Sequence, residues 1–93
     1  MNLNNLGLAK AARALITGED KVVEKIQQGK AYLVILASDT GQSTSKKIKD
    51  KTSFYKVPLI VECSSAELSN AIGGTNIHVI AVMNRGFAKL LEK

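Results

Sequence analysis

The residues able to do chemistry in this chain are few. Its 93 residues include one histidine, His78, and one cysteine, Cys63. His78 stands between Ile77 and Val79-Ile80, in a stretch that reads as a strand, where a partly buried or edge-facing structural imidazole is the ordinary role. Cys63 follows Val61-Glu62 at the end of another apolar segment, and a small buried hydrophobe is its ordinary role. A lone thiol forms no internal disulfide and shares no zinc, so a reducing, cytoplasmic compartment fits best and no metal or cofactor is expected. There is no G-x-S-x-G elbow, no Walker loop and no G-x-G-x-x-G fingerprint. No catalytic residue is expected, and the chain reads as something other than an enzyme. What remains is recognition chemistry, gathered in three polar segments: Thr17 to Lys21, Ser38 to Gln42, and Gly73 to Asn76. Gly18 admits close backbone approach, with N–H groups free for an anion. Glu19 and Asp20 compete with a phosphate for those donors; as acceptors they suit the amino and imino groups of bases. Complementing a helix dipole is their simpler role.

Charge points the same way. Thirteen Lys and Arg stand against eight Asp and Glu, a net charge of +5 that suits a polyanion such as nucleic acid. Most of the excess lies in the second half, densest at Lys46, Lys47, Lys49, Lys51 and Lys56, with only Asp50 opposed. Solvating a helix is the plain role of such a run. The aromatics are only Tyr32, Phe54, Tyr55 and Phe87, which argues against a sheet of base-stacking platforms for single-stranded RNA. Backbone charge and shaped loops must then do the binding.

The elements that position these residues follow from periodicity. Leu3, Leu6, Leu8, Ala11, Ala12 and Leu15 are spaced for an amphipathic helix, with Lys10 and Arg13 one turn apart on its other side. Leu15-Ile16 is a very short strand. Thr17-Gly18-Glu19-Asp20 is a T-x-x-D helix start in which the Thr17 hydroxyl is expected to cap. Val22, Val23 and Ile26 are its buried stripe, and Gly29 its stop. Ala31 to Ala37, a seven-residue apolar run, reads as a central strand covered on both faces; it is far short of the roughly 20 residues that span a bilayer. A lysine-rich helix follows to about Tyr55, with Ile48, Thr52 and Tyr55 inward. Pro58 opens a second core strand, Leu59-Ile60-Val61. Ser64 or Ser65 caps a helix that buries Leu68, Ala71 and Ile72 and stops at Gly73-Gly74. Ile77 to Met83 is another strand, and Arg85 to Lys93 a closing helix. Strands alternating with helices predict an α/β fold, a three-layer α/β/α sandwich around a small four-stranded mixed sheet, within one domain spanning 1–93. Polar Asn2, Asn4 and Asn5 predict no secretory signal.

From Thr17 onward the residue order resembles the ribosomal protein L-seven-Ae family, the kink-turn RNA binders. Thr17 to Ala31 carries the likeness, running into Leu33-Val34-Ile35-Leu36-Ala37-Ser38-Asp39. Val57-Pro58-Leu59 and Glu67-Leu68-x-x-Ala71-Ile72-Gly73 continue it, so that it covers roughly residues 3–91 and is strongest to small bacterial members. The resemblance implies an α/β/α sandwich that recognises kink-turn or similarly bent RNA, ribosomal RNA included. Carried over, the turn that meets sheared G·A pairs maps to Thr17, Gly18, Glu19, Asp20 and Lys21, with Lys25 one turn on. The loop that meets an unstacked nucleotide maps to Gly74, Thr75, Asn76 and Ile77, with Ser38 and Asp39 packed between the two. Lys10 and Arg13 are expected as further phosphate contacts. The best-known members have Asn-Glu where this chain has Asp20-Lys21. Asp20 cannot donate as an amide does, and Lys21 cannot accept from guanine but can hold a phosphate. A monomeric, ribosome- or translation-associated RNA binder is expected, with no membrane partner. The alternative is a protein-interaction module whose lysine helix meets a ribosomal or transcription protein.

Overall fold

The computed structural model of the chain describes residues 1–92. Among them run α1 (Leu3–Ala11), β1 (Leu15–Thr17), α2 (Glu19–Gln27), β2 (Leu33–Leu36), α3 (Gln42–Phe54), β3 (Leu59–Ile60), α4 (Ser65–Ile72), β4 (Val79–Val82) and α5 (Arg85–Glu92). Lys93, expected to end the last helix, lies outside the described residues.

The sheet order is β1-β4-β2-β3, with β2 and β3 parallel and β4 antiparallel to both β1 and β2. This is the mixed four-stranded sheet that the sequence predicts. The two central strands are fully buried, and their period of two divides the apolar residues between opposite faces. Leu33, Ile35, Ile80 and Val82 join Leu6 of α1, Leu68 and Ile72 of α4, and Ala88 and Leu91 of α5. Val34, Leu36, Val79 and Ala81 join Val22, Val23 and Ile26 of α2 and Ile48 of α3. Burying both faces is why these strands carry no polar alternation.

Helix ends follow local chemistry. Asn2 caps α1, its side chain accepting from the Asn4 N–H at 2.8 Å. Ser64 caps α4 in a reciprocal box: its hydroxyl accepts from the Glu67 N–H, while Glu67 accepts from the Ser64 N–H at 3.0 Å. Gly73 ends α4 in the left-handed region, with φ at 71°.

Three expectations are corrected. Tyr55 does not share the inner face of α3. It is exposed just past the helix end, and the inner face is Ile48 with Thr52, whose buried hydroxyl donates back to the Ile48 carbonyl at 2.9 Å. The strand after Pro58 is a half-buried edge of two residues, not a core strand, and Val61 is exposed beyond it. Leu8, Ala11 and Ala12, grouped with the apolar pattern of the first helix, face solvent, and Leu15 lies in β1.

Candidate functional site

Because β1, β2 and β3 run in the same direction, their carboxyl ends share one edge of the sheet with the amino end of β4. Ligands of open α/β sheets bind at such an edge. A cleft of about 400 Å³ opens there, lined by Thr17, Gly18, Glu19, Thr40, Gly41, Thr44 and the run Asn76 to Val79.

Its first wall is the β1–α2 turn. Thr17 is the last residue of β1 and pairs with Ile80, so it lies one position too early to cap the helix. The expected T-x-x-D cap does not form: Gly18 is the N-cap, and no side chain closes the start of α2. Gly18 holds φ 99° and ψ 140°, a conformation open to glycine and strained for any other residue. Its N–H donates to the Val79 carbonyl at 3.2 Å, tying the turn to β4. A Cβ at this position would meet nothing within 4 Å, so the backbone faces open space. Glu19 lines the cleft and pairs with Lys47 of α3 at 3.6 Å. Asp20 and Lys21 are exposed beside it, while Lys25, half-buried, reaches Gln28 at 3.5 Å.

The second wall is the segment before β4. The Gly74 N–H donates to the Ser69 carbonyl at 2.8 Å, and the Ile77 N–H donates to the buried Ser69 hydroxyl at 2.9 Å. Those bonds, with Asn76 in the left-handed region at φ 52°, fold the loop so that Asn76 and Ile77 reach the cleft. Gly74 and Thr75 line an adjoining hollow with Ser65, Ser69 and Asn70, which shares Asn76 with the cleft.

The third wall is the β2–α3 turn, and here the structure differs from the expected arrangement. Ser38 and Asp39 do not line the cleft. The Ser38 N–H donates to the Cys63 carbonyl at 2.8 Å, and the Asp39 carboxylate accepts from both the N–H and the hydroxyl of Ser65, each at 2.7 Å. The Ser65 hydroxyl, then its N–H, holds the Asp39 carboxyl below the ordinary range. These two residues fasten the turn to the start of α4. The residues presented to the cleft are the next ones, Thr40 and Gly41, followed by Thr44. Gly41 is the N-cap of α3, again with no side-chain cap and with no acid in the first turn. Two helix starts without side-chain caps therefore border one polar cleft; the start of α3, free of acids, suits an anion, while Glu19 and Asp20 compete for the donors of α2. Thr40 and Gly41 fall within the polar segment Ser38 to Gln42 picked out in the sequence; Thr44 lies beyond it and carries no signal.

His78, expected as a partly buried or edge-facing structural residue, also borders the cleft, and its Nδ1 is shut from solvent without a partner among the described residues. Cys63 is buried in the core, and burial pushes its thiol upward, with Glu67 and Glu62 adding to the shift. Lys10 and Arg13 are not brought to the cleft. They precede β1, whose first residue pairs with Val82, at the opposite end of the sheet. Among the described residues, no three His, Cys, Asp or Glu side chains group to hold a metal ion, and no helix is long and apolar enough to cross a membrane.

Comparison with known proteins places the chain in a family and matches its fold. The model of the Ribosomal protein L7Ae/L30e/S12e/Gadd45 family matches residues 3–92. The RNA-binding protein YlxQ of Bacillus subtilis (strain 168) is 43% identical over 86 residues, covering 92% of this chain and 86% of the relative. The protein of the same name from Enterococcus faecium is 41% identical over 87 residues, covering 94% and 84%. A solved structure of a Bacillus halodurans C protein of unknown function superposes with a TM-score of 0.94 at 44% identity, over 97% of this chain and 91% of the other. The Giardia lamblia 15.5kD RNA binding protein shares the fold, with a TM-score of 0.83 at 20% identity, over 97% and 83%.

Proposed function

Since this chain belongs to the ribosomal L7Ae/L30e/S12e/Gadd45 family, we propose that it is an RNA-binding protein, not an enzyme, and that its cleft accepts a sharply bent stem of the kink-turn kind. The observation that carries this is the convergence of the Gly18 turn, the Gly41 turn and the Asn76–Ile77 loop on one polar cleft. That two bacterial relatives above 40% identity are named RNA-binding proteins supports it.

In this role the open backbone at Gly18 lets a base edge approach, and Asp20 accepts from a guanine amino or imino group. Lys21 and Lys25 hold phosphates beside the start of α2, and the bare start of α3 takes another. Asn76 and Ile77, with Gly74 and Thr75 behind them, receive the unstacked nucleotide. Residues 1–93 act as one RNA-binding domain, as a monomer in the cytoplasm, on an RNA of the ribosome or the translation machinery.

The test is titration of a kink-turn stem against a straight duplex of the same composition, each at two salt concentrations. The bent stem is expected to bind more tightly at both, and its advantage to persist as salt rises, since shape readout is not screened as phosphate contacts are. Equal binding of the two would overturn the proposal.

A further inference from the structure

The lysine-rich helix is not absorbed by the cleft beyond its first turn, and its far end is unusual. Phe54 is 77% exposed and Tyr55 40%, although the chain has only four aromatic residues in all. The two rings meet edge to face, 4.9 Å apart at 70°, so Phe54 is braced from one side while presenting itself to solvent. Lys47, Lys51 and Phe54 follow one another at helical spacing and line one shallow groove with Asp50 and Tyr55. Lys46, Lys49 and Lys56 stand nearby in sequence, so five lysines accompany one aspartate between residues 42 and 56. The track begins at the cleft, because Thr44 lines it and Lys47 pairs with Glu19 at its rim. From Thr44 to Phe54 the helix runs roughly 15 Å.

We infer that the outer face of α3 is a second RNA contact, along which a single strand leaving the bent stem is drawn by the lysines until an unpaired base stacks on Phe54. An exposed aromatic among lysines matches the chemistry of a single strand, where bases supply π-faces and phosphates supply charge. A purely electrostatic surface has no use for Phe54, and a purely apolar docking site has none for the lysines. The inference rests on the cleft's binding a stem, and it names what lies beyond that stem.

The chain has no tryptophan, so Phe54→Trp installs a single indole reporter on an exposed side chain without disturbing the core. The probes are a kink-turn stem with blunt ends and the same stem carrying an adenosine extension of about eight nucleotides, longer than the helix track. Binding is followed by anisotropy of labelled RNA, and stacking by the indole emission of the Phe54→Trp variant.

The extension is expected to tighten binding roughly five- to a hundredfold, the range for one base stacked on an aromatic ring. It should quench the Phe54→Trp emission where the blunt stem does not, and Phe54→Ala should abolish the gain while leaving blunt-stem affinity unchanged. If both stems bind alike and emission is indifferent to the extension, this inference falls and the cleft's role stands. If neither stem binds, the proposed function falls and takes this inference with it. Emission that changes with protein concentration alone, or with an acidic peptide but no RNA, would assign the face to a second copy or a protein partner and overturn it as well.

Discussion

At the scale of single residues, the site separates groups that touch a ligand from groups that hold the turns still. The proposed function assigns Lys21 to the first kind: it is exposed beside the start of α2, where it would hold a phosphate and release counterions. Lys21→Ala is therefore expected to weaken RNA binding and to lower the slope of log affinity against log salt by about one phosphate equivalent. An unchanged slope would remove Lys21 from the contacts. Asp39 belongs to the second kind. Its carboxylate accepts two bonds from Ser65, which hold its titration below that of a free carboxyl. The unfolded Asp titrates at about 3.9. The stabilisation is therefore present in full above that value and disappears as pH falls through the lower folded value. Wild type should lose more of its urea midpoint between neutral pH and strongly acid solution than Asp39→Asn, which has no such proton to gain. Parallel losses in the two proteins would show that the Asp39 contact does not contribute.

At the scale of elements, the segment between α4 and β4 is held by one hydroxyl alongside a backbone bond. Ser69 is buried on the inner side of α4 and accepts from the Ile77 N–H. Ser69→Ala leaves that N–H without its partner, at a cost of about 1 kcal/mol, and frees the loop that carries Asn76 into the cleft. Affinity for the bent stem should fall at temperatures where the variant is still fully folded by circular dichroism, and unaltered affinity would show that the loop is positioned by other contacts. The lining of the cleft and the support behind it are unequally legible from the order of residues. Gly18, Asn76 and Ile77 can be picked out in the sequence, and they come together in space. Ser69 cannot, because nothing local distinguishes a serine that accepts from a loop eight residues away. The Thr17 cap misleads for a related reason. A T-x-x-D string reads alike whether the threonine is the capping residue or the one before it, and the pairing of Thr17 with Ile80 across the sheet decides between them. Asp39 is expected between the two contact loops, yet Ser65 at the start of α4, far along the chain, draws it to the side.

At the scale of the whole molecule, the layered architecture can be read in advance because it depends on composition over long runs. The apolar run from Ala31 to Ala37, buried at every residue but Tyr32, fits a strand covered twice, and the helical stripes around it supply the covers. The extent of the edge strand cannot be read, since Leu59-Ile60-Val61 has the same apolar character whether its third residue pairs or not. The division into two cores also assigns tasks. One layer, α2 with α3, carries the two helix starts without side-chain caps and Lys21, Lys25, Lys46, Lys47, Lys49 and Lys51, while α1, α4 and α5 fill the other side.

The two borders of the sheet have a further consequence. One is a strand of three residues and the other of two, the latter preceded by a proline. Stubs of that length offer a neighbouring copy only a short row of free amides to pair with. Short strands of this kind are one of the ways a sheet keeps its borders from pairing with another chain.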